Sequence, residues 1–314
     1  MQLVGQWPGY AEAMHVNGVL DALCNDDNRA ELRVFERAYE ASRNLPPLEQ
    51  PTIPRVIHQI WLGSPLPESL AKLSATWRRL HPYWEFRLWT DREVDALDFG
   101  SRDLYDRADC WGQKSDLLRI ELLNRFGGVY VDLDYECFAP IDELMKRLHF
   151  FGTQKHIFTA HLGWPAIWRR PVVVCNSLIG ARPGHPLMAE YLARVRAIWQ
   201  QPETYELKEG ELPRLAIAAM GGFAKAARIK ETGVRTFIPF GDIVTERLGT
   251  QPEREVVLPP VFLNPVTAGA RMLYFMPEFW QACRGAGIKW PDVRPYSRRV
   301  DYTFASHRSD NSWV

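Results

Sequence analysis

The period of the apolar positions changes along the chain, and each change marks an element. Residues 10–44 set apolar side chains at helical spacing among charges (AEAMHVNGVLDAL, RAELRVFERAYEAS), until Pro46, Pro47, Pro51 and Pro54 end the pattern. Arg55–Leu62 (RVIHQIWL) reads as a buried strand, followed by the loop GSPLP and a helix near 68–80 opened by Pro67. Glu85–Trp89 is a second strand, and 113–126 a helix closed by Gly127-Gly128. Val129–Val131 is a strand running into Asp132-Leu133-Asp134. Further strands are expected at His156–Thr159 and Val172–Cys175, with a helix over 187–200. Past residue 200 the pattern predicts a helix over Leu212–Ile229, then short strands and Pro-rich loops over 234–264. Alternating strands and helices favour an α/β layer structure with a mainly parallel sheet. Residues 1–50 form a helical segment, and 51–314 read as one domain with further helical additions in the C-terminal half.

Composition removes several function classes. The 314 residues suffice for a full core, and 46% hydrophobic with 24% charged residues is a globular balance. Lys+Arg and Asp+Glu both number 38, so the chain lacks the basic excess by which nucleic-acid or anionic-membrane binders displace counterions. No window approaches the apolar length of a membrane-spanning helix. The first residues, MQLVGQWPGYAEAMHVNG, lack the basic and apolar regions of a secretory signal. Five widely spaced cysteines with no CxxC pair form neither a disulfide framework nor a zinc cluster. The expectation is a cytoplasmic protein with reduced thiols that meets a membrane only peripherally.

Asp132 and Asp134 follow the apolar run GGVYV, which places two carboxylates at the C-terminal end of a strand, where open α/β sheets bind ligands. In an extended chain both share one face, Leu133 points to the other, and their Cα atoms lie about 6.7 Å apart. That spacing is awkward for two direct bonds of about 2.1 Å to one divalent ion. One Asp is therefore expected to ligate directly and the other to act through water or on a ligand hydroxyl. Upstream, QKSDLLRIELLNRFGG puts Leu117, Leu118, Ile120, Leu122 and Leu123 on a broad apolar surface and pairs Asp116 with Arg119. An exposed pair of this kind contributes about 0.2–0.5 kcal/mol. Alternatively the pair faces a polar ligand beside the acidic residues, and spacing leaves both readings open. Trp61 sits at a strand-to-loop exit, a position that by burial habit alone is core more often than ligand contact.

Four segments, IPRVIHQIWLG, SDLLRIELLNRFGGVYVDLDYECFAPIDEL, NSLIGARPGHP and a terminal His-x4-Ser-Trp, together resemble glycosyltransferase family 32, the DXD sugar-binding-motif group that includes the yeast initiating mannosyltransferase. The central block is also similar to the glucosyltransferase domains of large clostridial toxins. The likeness covers residues 53–190 and the extreme C-terminus. It implies a GT-A type, Rossmann-like fold and retaining transfer from a nucleotide sugar with Mn²⁺ or Mg²⁺ bound. By position it implies that Trp61 stacks on the donor base and that Asp116 and Arg119 hold donor-sugar hydroxyls. Asp132 would contact the ribose and a metal-bound water, Asp134 would ligate the metal directly, and Asn176 would touch the donor sugar or the acceptor. Ser312 and Trp313 would close over the diphosphate, with Ser312 near the metal, in a C-terminal flap of about residues 300–314. The tail keeps His307 where the family has a His pair, but continues with Arg308 and Ser309. The metal ligand there is His307 or Asp310, the latter an oxygen donor suited to either ion.

The function so implied is transfer of a hexose, from a UDP-sugar in preference to GDP-mannose, to a glycan, glycolipid or polysaccharide. Asp116, Arg119, Asp132 and Asp134 would carry the chemistry. No side chain is marked as a nucleophile, which favours front-face attack. Two alternatives stand beside it: a toxin-like enzyme acting on a protein acceptor, and a non-catalytic module that binds nucleotide sugars or glycans. The intact acidic pair beside Asp116 and Arg119 argues against the second.

Overall fold

The computed structural model describes residues 7–14, 26–156, 172–201, 210, 217, 222–263 and 303–307. The strands are β1 (Val56–Ile60), β2 (Glu85–Trp89), β3 (Gly128–Val131), β4 (Tyr135–Cys137), β5 (Phe150–His156), β6 (Val172–Ala181), β7 (Glu255–Leu258) and β8 (Ala305–His307). Six of them form one sheet in the order β2-β1-β3-β6-β5-β7, while β4 and β8 make a separate two-stranded ribbon. Within the sheet β1 is parallel to β2 and β3, and β5 to β7; β6 is antiparallel to both its neighbours. This is the mixed α/β class, with a mostly parallel sheet, that the alternation predicts.

The main helices are α1 (Tyr10–Met14), α2 (Asp26–Arg43), α3 (Glu68–Leu80), α4 (Trp111–Phe126), α5 (Pro186–Trp199), α6 (Phe223–Thr232) and α7 (Ile238–Gly249). Every residue of β3, β6 and β7 is buried, as befits strands covered on both faces. One core cluster joins Phe35 and Tyr39 of α2 to Trp77, Leu117, Val129, Ile179, Phe240 and Val257. The turn from α4 into β3 needs glycine twice. Gly127 and Gly128 have φ of 61° and 96°, and a Cβ would meet Pro183 at the first and the Val56 carbonyl at the second, each at 2.6 Å.

Three sequence expectations are corrected. The strand placed at His156–Thr159 instead begins at Phe150, whose aromatic pair with Phe151 supplies the buried end, and residues 157–159 lie outside the described set. The strand at Val172–Cys175 runs on to Ala181, paired with β3 along its second half. The span 234–264 is largely helical. Pro239 does not end the helix: it follows the π-helical turn Gly233–Phe237 in an unbroken helical run, and Phe240, Ile243, Val244 and Leu248 form a buried helical stripe. Only Glu255–Leu258 there is a strand.

Candidate active site

A cavity of about 530 Å³ opens beyond the C-terminal ends of β1 and β3. Trp61 to Ser64 after β1, Asp132 to Asp134 after β3, and Trp111, Asp116 and Arg119 on α4 all line it.

The acidic pair is not extended as expected. The Asp132 N–H still bonds the Ser177 carbonyl at 2.8 Å, one step beyond the β3–β6 ladder, but the Tyr135 N–H then donates back to the Asp132 carbonyl at 3.2 Å. The resulting turn buries Leu133 against Leu70 and Leu73. It also starts β4, whose Tyr135 pairs with His307 of β8. The two rings stack at 4.5 Å, and His307 Nε2 lies 2.9 Å from Asp134 Oδ1 and 3.9 Å from Asp132 Oδ2. Trp77 Nε1 donates to the Tyr135 carbonyl at 3.0 Å, and the Tyr135 hydroxyl bonds Ser177 Oγ at 3.0 Å, so the ribbon is anchored from α3 and from β6.

This geometry fits a divalent cation. One donor atom each from Asp132, Asp134 and His307 lies within 4.8 Å of the others. Two carboxylates and an imidazole are a donor set that Mn²⁺ accepts well and Mg²⁺ accepts through its oxygens. Burial raises the Asp132 pKa, Arg119 opposes the rise, and the Asp134 carboxylate adds to it. A cation at this point would answer both the lost hydration and the like charge.

Asp116 and Arg119 are each only 5% exposed, which excludes the surface-pair reading. Arg119 Nη2 lies 3.0 Å from Asp116 Oδ1, and Nη1 donates to the Asn176 carbonyl at 2.7 Å and lies 3.5 Å from Asp132 Oδ1. Its guanidinium covers the Tyr130 ring at 4.5 Å, and the Tyr130 hydroxyl donates to Asp132 Oδ1 at 2.5 Å. Asn176 Nδ2 donates to Asp116 Oδ1 at 2.8 Å, and the Thr236 hydroxyl to Oδ2 at 2.5 Å. Burial pushes the Asp116 pKa up, against the pull of Arg119 and these donors. Arg119 thus links Asp116, Asn176 and Asp132 in one network.

Trp61 is half-buried against the cluster of Leu70, Leu73 and Leu133, and its buried Nε1 has no hydrogen-bond partner. Trp111, 44% exposed, lies over Gly63, where a Cβ would fall 2.3 Å from the indole. Asp310, Ser312 and Trp313 lie outside the described residues. Tyr130, Tyr135 and Thr236 are site residues that sequence reasoning missed. Tyr130 was within reach, because it stands two residues before Asp132 and so shares its strand face. Thr236 had no local signal.

Residues 67–151 match the family described as glycosyltransferase sugar-binding region containing DXD motif, and residues 111–206 match that of capsular polysaccharide synthesis protein. Inositol phosphoceramide mannosyltransferase 1 of Schizosaccharomyces pombe is 30% identical over 151 residues, covering 45% of this chain and 42% of that protein. A mannosyl phosphorylinositol ceramide synthase of Saccharomyces cerevisiae is 28% identical over 182 residues, 55% of this chain and 42% of that one. The chain therefore spans less than half the length of these curated relatives. Among solved structures, the PaToxG glycosyltransferase aligns with a TM-score of 0.46 at 16% identity, over 86% of this chain and 94% of that one. The segment that carries Asp116, Arg119, Asp132 and Asp134 is thus similar to the DXD sugar-binding region of glycosyltransferases, the resemblance its motifs had implied.

Proposed function

We propose that this chain is a retaining glycosyltransferase that moves a hexose from a nucleotide sugar to a glycan or lipid-linked acceptor with Mn²⁺ or Mg²⁺ bound. The observation that carries the reading is the sharing of one cavity by the Asp132–Asp134–His307 cluster and the Asp116–Arg119 network. Asp132, Asp134 and His307 would hold the ion, which supplies charge stabilisation to the leaving diphosphate. Asp116 offers carboxylate oxygens to sugar hydroxyls, and Arg119 holds that carboxylate and Asp132 in fixed relation. The half-buried Trp61 indole and the exposed Trp111, both lining the cavity, offer flat surfaces to base or sugar. Leu62, Leu133, Ile229 and Phe237 supply apolar wall that excludes water. In this reading residues 51–314 are the catalytic unit, and the tail of about 300–314 closes over the donor. Its described part is tied down by β8 and by the buried Phe304. No described helix is long and apolar enough to cross a membrane, and any membrane contact is read as peripheral.

The Trp61 and Asp116–Arg119 context favours a UDP-sugar donor. The mannosyl transfer in the names of both curated relatives favours GDP-mannose as a second reading. Incubation with UDP-glucose, UDP-galactose or GDP-mannose and Mn²⁺, with free sugar as the readout, separates them. Slow hydrolysis of one donor, stopped by EDTA and restored by Mn²⁺, is the expected result. Donor binding without any hydrolysis or transfer would instead identify a binding module and sink the enzyme reading.

A further inference from the structure

The α6 and α7 helices are joined by a π-helical turn, Gly233–Phe237, and Ile229, Thr232, Gly233 and Phe237 form a wall of the cavity. Such turns are rare and recur at functional sites. Thr236 on this turn is fully buried, and its hydroxyl has two acceptors: Asp116 Oδ2 at 2.5 Å and the Thr232 carbonyl at 2.9 Å. A hydroxyl carries one proton, so it serves one of them at a time. The carboxylate is nearer and charged, which makes it the preferred acceptor. Asp116 Oδ1 is already engaged by Asn176 and Arg119, so among the described residues Thr236 is the donor that fixes Oδ2. The Tyr191 hydroxyl in turn donates to the Thr236 carbonyl at 3.0 Å and holds the turn in place.

We propose that Thr236 is a positioning residue for the donor sugar: its hydroxyl donates to Asp116 Oδ2 and fixes the carboxylate so that its remaining lone pairs accept from a sugar hydroxyl. The inference rests on the proposed function, in which Asp116 contacts the sugar. Thr236 itself touches no reacting atom. A carboxylate oxygen accepts more than one hydrogen bond, so the sugar hydroxyl is received beside Thr236 without displacing it.

The test compares ligands that differ only in the sugar. Isothermal titration in Mn²⁺ measures UDP, UDP-glucose, UDP-galactose, GDP and GDP-mannose on the wild-type chain, Thr236→Val and Thr236→Ser. Thr236→Val is expected to weaken the preferred nucleotide sugar roughly tenfold, the scale of one hydrogen bond to a charged group. Its nucleoside diphosphate should change by less than about twofold, and Thr236→Ser should restore both. If valine is not accommodated, Thr236→Ala takes its place with the same expected split. Equal weakening of sugar and diphosphate marks a merely structural role and overturns the inference. So does an unchanged sugar affinity in a wild-type background that prefers the nucleotide sugar. A wild-type chain with no affinity for any nucleotide sugar overturns the proposed function, and this inference with it.

Discussion

The two polar clusters of the cavity share Arg119 but answer their charges differently. Around Asp116 each carboxylate oxygen has a side-chain donor, and the pair with Arg119 is neutral. Around Asp132 and Asp134 two carboxylates face one imidazole across 4.8 Å or less. Burial raises the pKa in both places, but Asp116 faces Arg119 and neutral donors, whereas Asp132 also faces the Asp134 carboxylate and the His307 imidazole. A closed network is a rigid surface that recognises neutral hydroxyls by hydrogen bonds. An open acidic cluster is a place for a cation. The adjacency of the two is what a diphosphate-linked sugar requires, because its hydroxyls and its charge lie within a few ångströms of each other.

The comparison breaks most directly at Arg119, which both clusters use. Arg119→Met removes a buried cation and leaves two carboxylates facing each other without it. Breaking a buried pair on one side costs about 3–5 kcal/mol, so the urea midpoint should fall steeply. Adding Asp116→Asn to the same chain removes one orphaned charge and should recover part of the loss. If Arg119→Met leaves the midpoint within experimental error, Arg119 does not close the network around Asp116.

Asp134 belongs to the open cluster alone, and its neutralisation should separate chemistry from stability. Asp134→Asn removes a like charge beside Asp132 but weakens the contact to His307, two effects of opposite sign, so unfolding without added metal should change by under about 1 kcal/mol. Donor hydrolysis in Mn²⁺ should fall by more than about 100-fold, because loss of a ligand exceeds the loss of a group that merely supports one. In the wild-type chain Mn²⁺ at about 100 times its Kd should raise stability by about 2.7 kcal/mol. The variant should show little of that gain. A full Mn²⁺ stabilisation in Asp134→Asn would remove Asp134 from the ligand set.

The two clusters were unequally legible in the sequence, for a physical reason. The strand end before Asp132 is local: an apolar run, two glycines and two acids within eight residues. The Asp116–Arg119 spacing was local as well, but its burial was not. What covers that pair comes from Asn176, 60 residues on, and Thr236, 120 residues on. Thr236 stands in a span whose prolines suggested loops, although Pro239 lies inside a continuous helical run from Phe223 to Gly249. The turn at Asp132–Tyr135 has no glycine or proline to announce it. It follows from pairing with β8, a tertiary contact from the far end of the chain, and alternation along one strand has no knowledge of such a partner.

The finest distinction lies in Tyr130, which stands between the clusters. Its ring lies under Arg119 of the closed network, while its hydroxyl bonds Asp132 of the open one. Tyr130→Phe keeps the ring and removes the bond, so the contact to Arg119 survives. The loss of one hydrogen bond to a charged acceptor is worth about 1.5 kcal/mol at the low end, and Asp132 retains Arg119 at 3.5 Å. Because a bound cation takes over part of that role, the loss in stability should be larger in EDTA than in Mn²⁺. Thermal unfolding of the variant under both conditions measures the difference. If Tyr130→Phe destabilises the chain equally with and without Mn²⁺, the hydroxyl serves the closed network, and the boundary between the clusters lies on the other side of Asp132.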